Sequence, residues 1–383
     1  MLHRSACLAL AFALALALPA VAACGDNHDS ADAQASGDGQ HGSGSDDAHG
    51  ATGSTAAIVA GDFGAGDPGV LATLDSHALT VTQGRAPAGA IGDDPTLRHF
   101  GNDVFVVNRA DGNNVTLLDD HTFAVVAQVA TGASSNPQDV ALAHGKLYVP
   151  VYGGKGVAVV APGSATIAIV DLSADDPDGH PQCESAIAVD NEIYVACQLL
   201  DDSTFAPRGL GKVYVIDPTT DTVRTRFDLT TKNPITLLEP VAGGTIAVGT
   251  VDFSDGSGCI EQITPGPTPT STCLVTNTVL GGYATRLQFA DASTAWLAVS
   301  GTTFPNPPQT LALFVAGSPS VQVLSGAGEA ISDVALCPDG TLVVADVTKN
   351  AAGVRAFSSS AERTTAALAI GLPPAAQHGL ECY

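Results

Sequence analysis

KVYVIDPTTDTVRTRFDL, residues 212–229, is the stretch whose reading decides the fold. An apolar run with alternating β-branched residues ends at Asp217, turns through Pro218, Thr219, Thr220 and Asp221, and resumes as a second alternating run from Thr222 to Leu229. Proline presets φ for a turn, the aspartates can accept nearby backbone amides, and the period-two flanks are those of strands with one buried face. The segment is a predicted β-hairpin. A lone hairpin is marginal in water, so it needs neighbours.

The neighbours repeat it. The same apolar-to-turn junction recurs at Leu74-Asp75, Leu118-Asp119, Val170-Asp171, Ile263-Thr264, Val315-Ala316 and Phe357-Ser358, about 47 residues apart, near the range of propeller blades. Upstream of each junction lies another strand-like run, beginning near Ala56, Asp103, Lys146, Glu192, Thr245, Ala295 and Thr341. The period-two pattern excludes a helical solenoid. Residues 56–383 are therefore predicted to be all-β, a seven-bladed β-propeller.

Residues 1–23 read as a signal peptide, with Arg4 as its positive end and an apolar run from Ala6 to Leu18 that is too short to span a bilayer. Val21-Ala22-Ala23-Cys24 resembles a bacterial lipobox. That resemblance implies a lipoprotein: a diacylglyceryl thioether on Cys24, cleavage before it, and a palmitate-type acyl chain on the new amine. Residues 24–55 complete the lipidated cysteine and a tether. From Gly25 to Thr55 there is no aromatic or branched aliphatic residue, so the segment cannot offset its ordering entropy by burial. His28, His41 and His49 within it could collect transition metals loosely. Gly25, rather than Asp, follows the cysteine, which by the enterobacterial sorting rule favours the outer membrane over the inner. The expectation is a monomer held in the cell envelope by its lipid anchor, with its periplasmic or surface-facing side left open.

Acidic residues number 39 against 15 Lys and Arg, a formal charge of −24. Such a field repels nucleic acid and anionic headgroups and favours cations. Nucleic acid is not an expected partner.

Six cysteines remain beyond the signal and Cys24, which allows fifteen pairings. Cys183 and Cys197 are symmetric about a turn at Asp190-Asn191, and Cys259 and Cys273 about Gly266. Both pairs are expected as disulfides stapling hairpins. Gln138-Asp139-Val140-Ala141-Leu142 aligns with Ser332-Asp333-Val334-Ala335-Leu336, which Cys337 follows. Gln377-His378-Gly379-Leu380-Glu381-Cys382 fits the same frame. The C-terminal tail is thus expected to supply the innermost strand of blade 1, and Cys337–Cys382 to bolt it to blade 7.

DVFVVN (103–108), NPQDVAL (136–142), KLYVPV (146–151) and KVYVIDPTTDTV (212–223) resemble the repeats of YVTN-type seven-bladed β-propellers, which include lipobox-bearing bacterial members. The resemblance covers nearly everything from Ala56 onward. Blades 5 and 6 depart most, with Thr264 and Ala316 in place of the turn aspartate.

The alignment places Thr96, Asp139, Ser185, Thr236, Arg286, Asp333 and His378 at equivalent positions where inner strands begin, ringing one mouth. Asp139, Asp333 and His378 could hold a cation there. The plainer reading is that these side chains bond backbone at strand starts and that Arg286 pairs with a carboxylate. In the loop from Ser173 to Glu184, Asp176 and Asp178 stand at spacings like those of a calcium loop, although Ser185 occupies the terminal ligand position. GxSxG, HExxH, CxxC and phosphate-loop motifs are absent, and Trp296 is the only tryptophan. Two functions follow: a non-catalytic binding or scaffold module presenting loops such as 199–211 and 301–309 to a protein or small molecule, or a periplasmic hydrolase of the lactonase kind using the channel, with a divalent cation such as calcium.

Overall fold

The computed structural model describes residues 54–62, 68–303, 307–318, 320–324, 330–359 and 361–383. The expected signal peptide, Cys24 and nearly all of the expected tether lie outside the described residues. Among the described residues, no helix is long and apolar enough to cross a membrane.

Seven four-stranded antiparallel sheets follow one another along the chain. The hairpin at 212–229 forms as expected: strand Lys212–Asp217 pairs with Thr222–Asp228, and Asp217 lies opposite Thr222. Asp217 Oδ1 accepts the Thr219 N–H at 2.8 Å, and Asp221 takes the left-handed φ of 54° that a tight turn requires. The same cap recurs wherever the sequence keeps the aspartate. Asp75 accepts from His77, Asp119 from Thr122 and Asp171 from Ser173, each at 2.7 to 2.9 Å.

The innermost strands of blades 1 to 7 are Leu380–Cys382, Pro95–Phe100, Ala141–Ala143, Cys183–Val189, Glu239–Val241, Tyr283–Phe289 and Ile331–Leu336. The last segment of the chain therefore completes the first sheet. Leu380 pairs with Ile58 and Cys382 with Ala56, and Cys382 is disulfide-bonded to Cys337 of blade 7.

Seven apolar clusters hold the circle together, each shared by two adjacent blades. Strand Thr55–Ala60 shows how. Ala56, Ile58 and Ala60 face blade 7, whereas Ala57 and Val59 face blade 2. Period two is preserved, but both faces are covered, so the strand is buried almost throughout.

Cys183 and Cys197 are directly opposite and bonded, their turn formed by Asp190 and Asn191 with φ of 51° and 61°. The expected Cys259–Cys273 bridge is not formed; both are free thiols, the first buried and the second exposed. The two strands turn about Pro267, with Thr264 opposite Thr270 and Glu261 opposite Cys273, and a bulge between Ile260 and Glu261 then places Cys259 opposite Thr276. Symmetry about Gly266 places the turn one residue too early and omits the bulge as well.

Replacing Cys337 and Cys382 together by Ala should lower stability by about 4 kcal/mol, the chain-entropy estimate for a loop closed across 45 residues. Urea unfolding of the variant against the wild type reads this directly. Alkylation of the native protein should label Cys273 and spare Cys259 until denaturation.

Candidate functional site

The seven inner strands converge on the axis, and the seven residues aligned there are all buried, between 0 and 2% exposed. Bulges precede three of them. The ladder slips between Cys183 and Ser185, between Ala284 and Arg286, and between Ile331 and Asp333, which re-aims the residue that follows.

Most of these groups are committed to joining one blade to the next. Asp139 accepts Val140 N–H and reaches into blade 4, where it accepts the Ser185 hydroxyl at 2.7 Å and Ala186 N–H at 3.0 Å. Ser185 Oγ in turn accepts Leu238 N–H of blade 5 at 2.7 Å. Asp333 accepts Val334 N–H and, in the returning tail, Leu380 N–H at 3.0 Å. Thr96 donates to the Gln138 carbonyl, and Thr236 Oγ1 accepts Gly249 N–H. Thr96, Asp139, Ser185, Thr236 and Asp333 thus each bond backbone.

Three charged residues absent from the aligned set complete the site. Arg98 grips Asp139 with two hydrogen bonds of 2.8 and 2.9 Å and also reaches Glu239 at 3.3 Å. Glu239 bonds Arg286, whose Nε donates to Asp333 at 2.9 Å. The result is a chain of alternating sign, Asp139, Arg98, Glu239, Arg286 and Asp333, running from blade 3 to blade 7 through blades 2, 5 and 6. Glu381 lies beside it. Arg98 was legible in principle, since it stands two residues after Thr96 and shares its face of the strand.

Burial sets the protonation of these groups. It pushes Asp333 up to about 6, a rise that Arg286 opposes, and pushes Glu381 up to about 7. Burial acts to lower the pKa of Arg98, but Asp139 and Glu239 outweigh it and hold the guanidinium charged. His378 is driven well below its ordinary value, first by burial and then by Arg286, Arg98 and Arg109. The imidazole is neutral. Arg286 Nη1 lies 3.4 Å from Nε2, so Nε2 accepts and the proton sits on Nδ1, 3.7 Å from Glu239.

Nearer the mouth, Arg109 binds Asp94 at 2.5 Å and Gln377 at 3.1 Å. Glu184, the extra residue of the blade 4 bulge, is 7% exposed. Burial raises its carboxyl to about 7, against the pull of Arg109.

The calcium-loop candidates lie off the axis. Asp176 is buried, and burial followed by the neighbouring Asp178 carboxylate raises it to about 6. Asp178 is brought together with His180 and, from the next loop, Asp202. Of the proposed partner loops, residues 199–211 are fully described: Leu199 and Leu200 are buried, while Phe205 and Leu210 are exposed. Residues 304–306 of the 301–309 loop lie outside the described residues.

No family model matches the chain, and no curated protein matches its sequence. Solved structures do resemble it. A proposed 6-phosphogluconolactonase from Bacteroides uniformis superposes with a TM-score of 0.61 at 13% identity, covering 87% of this chain and all of that one. The β-propeller domain of Cps50 (Swd1) from Myceliophteria thermophila gives 0.57 at 11%, covering 79% and 99%. A quinoprotein alcohol dehydrogenase-like protein from Bacteroides thetaiotaomicron gives 0.56 at 12%, covering 81% and 74%. At these identities the likeness is one of fold.

Glu184 binds a proton in the folded state at pH values where the unfolded chain has lost it. Its contribution to stability is complete below pH 4.5 and is lost as the pH rises through about 7. Glu184→Gln should therefore melt with the wild type at pH 4.5 and above it at pH 8, as read by thermal unfolding at both pH values.

Proposed function

We propose that the chain is a non-catalytic binding or scaffold module, held at the bacterial cell envelope by an acylated Cys24 and a spacer of residues 25–55. The observation that carries this reading is the commitment of the axial groups to one another. Asp139, Glu239 and Asp333 are occupied by guanidinium or backbone donors; Arg98 crosses the axis from blade 2 to blade 5, and Arg286 joins blade 6 to blades 5 and 7. Recognition is then the work of the loops at one end of the sheets. The 199–211 loop of blade 4 exposes Phe205 and Leu210, and the equivalent loop of blade 5 exposes Phe253. Exposed aromatic side chains of this kind supply large contact area at low entropic cost. The repeat resemblance to YVTN-type propellers and the lipobox support the same picture of an envelope protein.

The lactonase reading draws on the fold shared with the Bacteroides uniformis protein. In its favour, Glu184 and Glu381, each raised to about 7, are carboxyls suited to proton transfer near neutral pH. Against it, His378 is buried among arginines and has no carboxylate within hydrogen-bonding distance to orient it.

The triple variant Phe205→Ser, Leu210→Ser and Phe253→Ser should keep the wild-type melting temperature and lose the proteins cross-linked by the wild type in intact cells. Cys24→Ala should lose metabolic acyl labelling and pass to the soluble fraction. Hydrolysis of any member of a lactone panel by the wild type, abolished in Glu184→Gln, would overturn the binding-module reading.

A further inference from the structure

The loop that enters blade 4 and the loop between that blade's second and third strands meet above the Cys183–Cys197 disulfide. Asp178 and His180 precede Cys183; Asp202 follows Cys197. One donor atom from each of the three lies within 4.8 Å of the other two. Metal–ligand bonds of about 2.0–2.2 Å need only a small contraction of that triangle.

The parts are held from beneath. Gln182, 2% exposed, donates to Asp202 Oδ1 at 2.7 Å and accepts Leu200 N–H at 2.9 Å. Backbone hydrogen bonds from Gln198 to Gln182 and from Leu199 to Pro181 zip the two loops together. His180 Nδ1 lies 2.7 Å from Asp202 Oδ2.

A separate observation calls for a ligand. Asp176 is 5% exposed; its Oδ1 accepts Asp178 N–H at 3.0 Å, and its Oδ2 is buried with no hydrogen-bond partner. Its carboxylate faces that of Asp178, and neither can donate to the other when ionised. Arg208 offsets part of the charge by bonding Asp178 Oδ2 and Asp201 Oδ2 at 2.8 Å each, which leaves Asp178 Oδ1 as the ligand oxygen. That one guanidinium is divided between Asp178 and Asp201, and its field also reaches Asp176.

We propose that Asp178, His180 and Asp202 bind one divalent transition-metal ion, with Asp176 Oδ2 accepting a proton of a metal-bound water. Two carboxylates and an imidazole suit an ion such as Zn²⁺, whereas Ca²⁺ takes six to eight oxygens. The site is independent of the binding-module reading. The disulfide preorganises it by fixing the roots of both loops.

The test is calorimetric titration of ZnCl₂ into the full-length chain after chelator stripping, with thermal unfolding in parallel. One tight equivalent is expected, which persists when His28, His41 and His49 of the tether are replaced by Ala. His180→Ala and Asp202→Asn should each weaken it by about tenfold or more. Zn²⁺ should raise the wild-type melting temperature by about 2 °C or more and leave that of His180→Ala unmoved. The His180 side chain is 45% exposed, so its variant should melt as the wild type without metal, which separates a lost ligand from a lost fold. Unchanged binding in both loop variants, loss only in the tether variant, or displacement of Zn²⁺ by equimolar Ca²⁺ would overturn the assignment.

Discussion

Each sheet of this protein is apolar on both faces, and everything else follows from that. A sheet with two apolar faces is stable only between two others, and a row of such sheets leaves an unburied face at each end unless it closes. The circle removes the ends. Along strand Thr55–Ala60 alternate residues enter two different apolar clusters, so a pattern that would describe a half-exposed strand elsewhere describes a fully covered one here. The strand given up by the C-terminal tail closes the circle in the covalent chain as well. Without it, blade 1 would present Ala56 to Ile58 as an unpaired inner edge.

Closure imposes a second problem at the axis, where seven inner strands crowd polar groups into little space. Desolvating a charge costs several kcal/mol unless a partner compensates it. The protein answers with charges of alternating sign, from Asp139 through Arg98, Glu239 and Arg286 to Asp333, with the two terminal aspartates accepting backbone amides of adjacent blades. Buried ion pairs add little net stability over apolar packing, but their geometry is demanding. Here it fixes which blade meets which. Arg98 of blade 2 finds Glu239 of blade 5 only when the blades between them are in place.

The sequence announces what is local and conceals what is made by the circle. The hairpin at 212–229, the aspartate turn caps and the Cys183–Cys197 bridge are set by residues a few positions apart, and alternation with turn chemistry reveals them. The tail strand was legible because residues 377–382 repeat an internal motif. Cys259 and Cys273 misled because the hairpin turns about Pro267 instead of Gly266 and a bulge then adds one more residue of offset, neither of which the spacing of the cysteines reveals. Glu239 and Glu381 were invisible as site residues because the arginines that face them lie in other blades. Asp202 was hidden for a similar reason: nothing local says that its loop rests on the one carrying Asp178. The bridge between Cys183 and Cys197 was the available signal, since it roots both loops at one point.

The two disulfides therefore act on different scales. Cys337–Cys382 spans 45 residues and joins blade 7 to the strand that completes blade 1, so it acts on the assembly of the whole ring. Cys183–Cys197 spans 14 residues within one blade, where the hydrogen-bonded ladder already fixes both strands. Its effect is felt beyond the ends of those strands, where the chain leaves the ladder for two loops rich in aspartate. A cross-link placed there restrains loop roots more than it restrains sheet. With the axial charges engaged in holding blades in register, side chains that must meet something outside the molecule belong on such loops, and blade 4 is where the chain has invested a covalent bond in keeping two of them together.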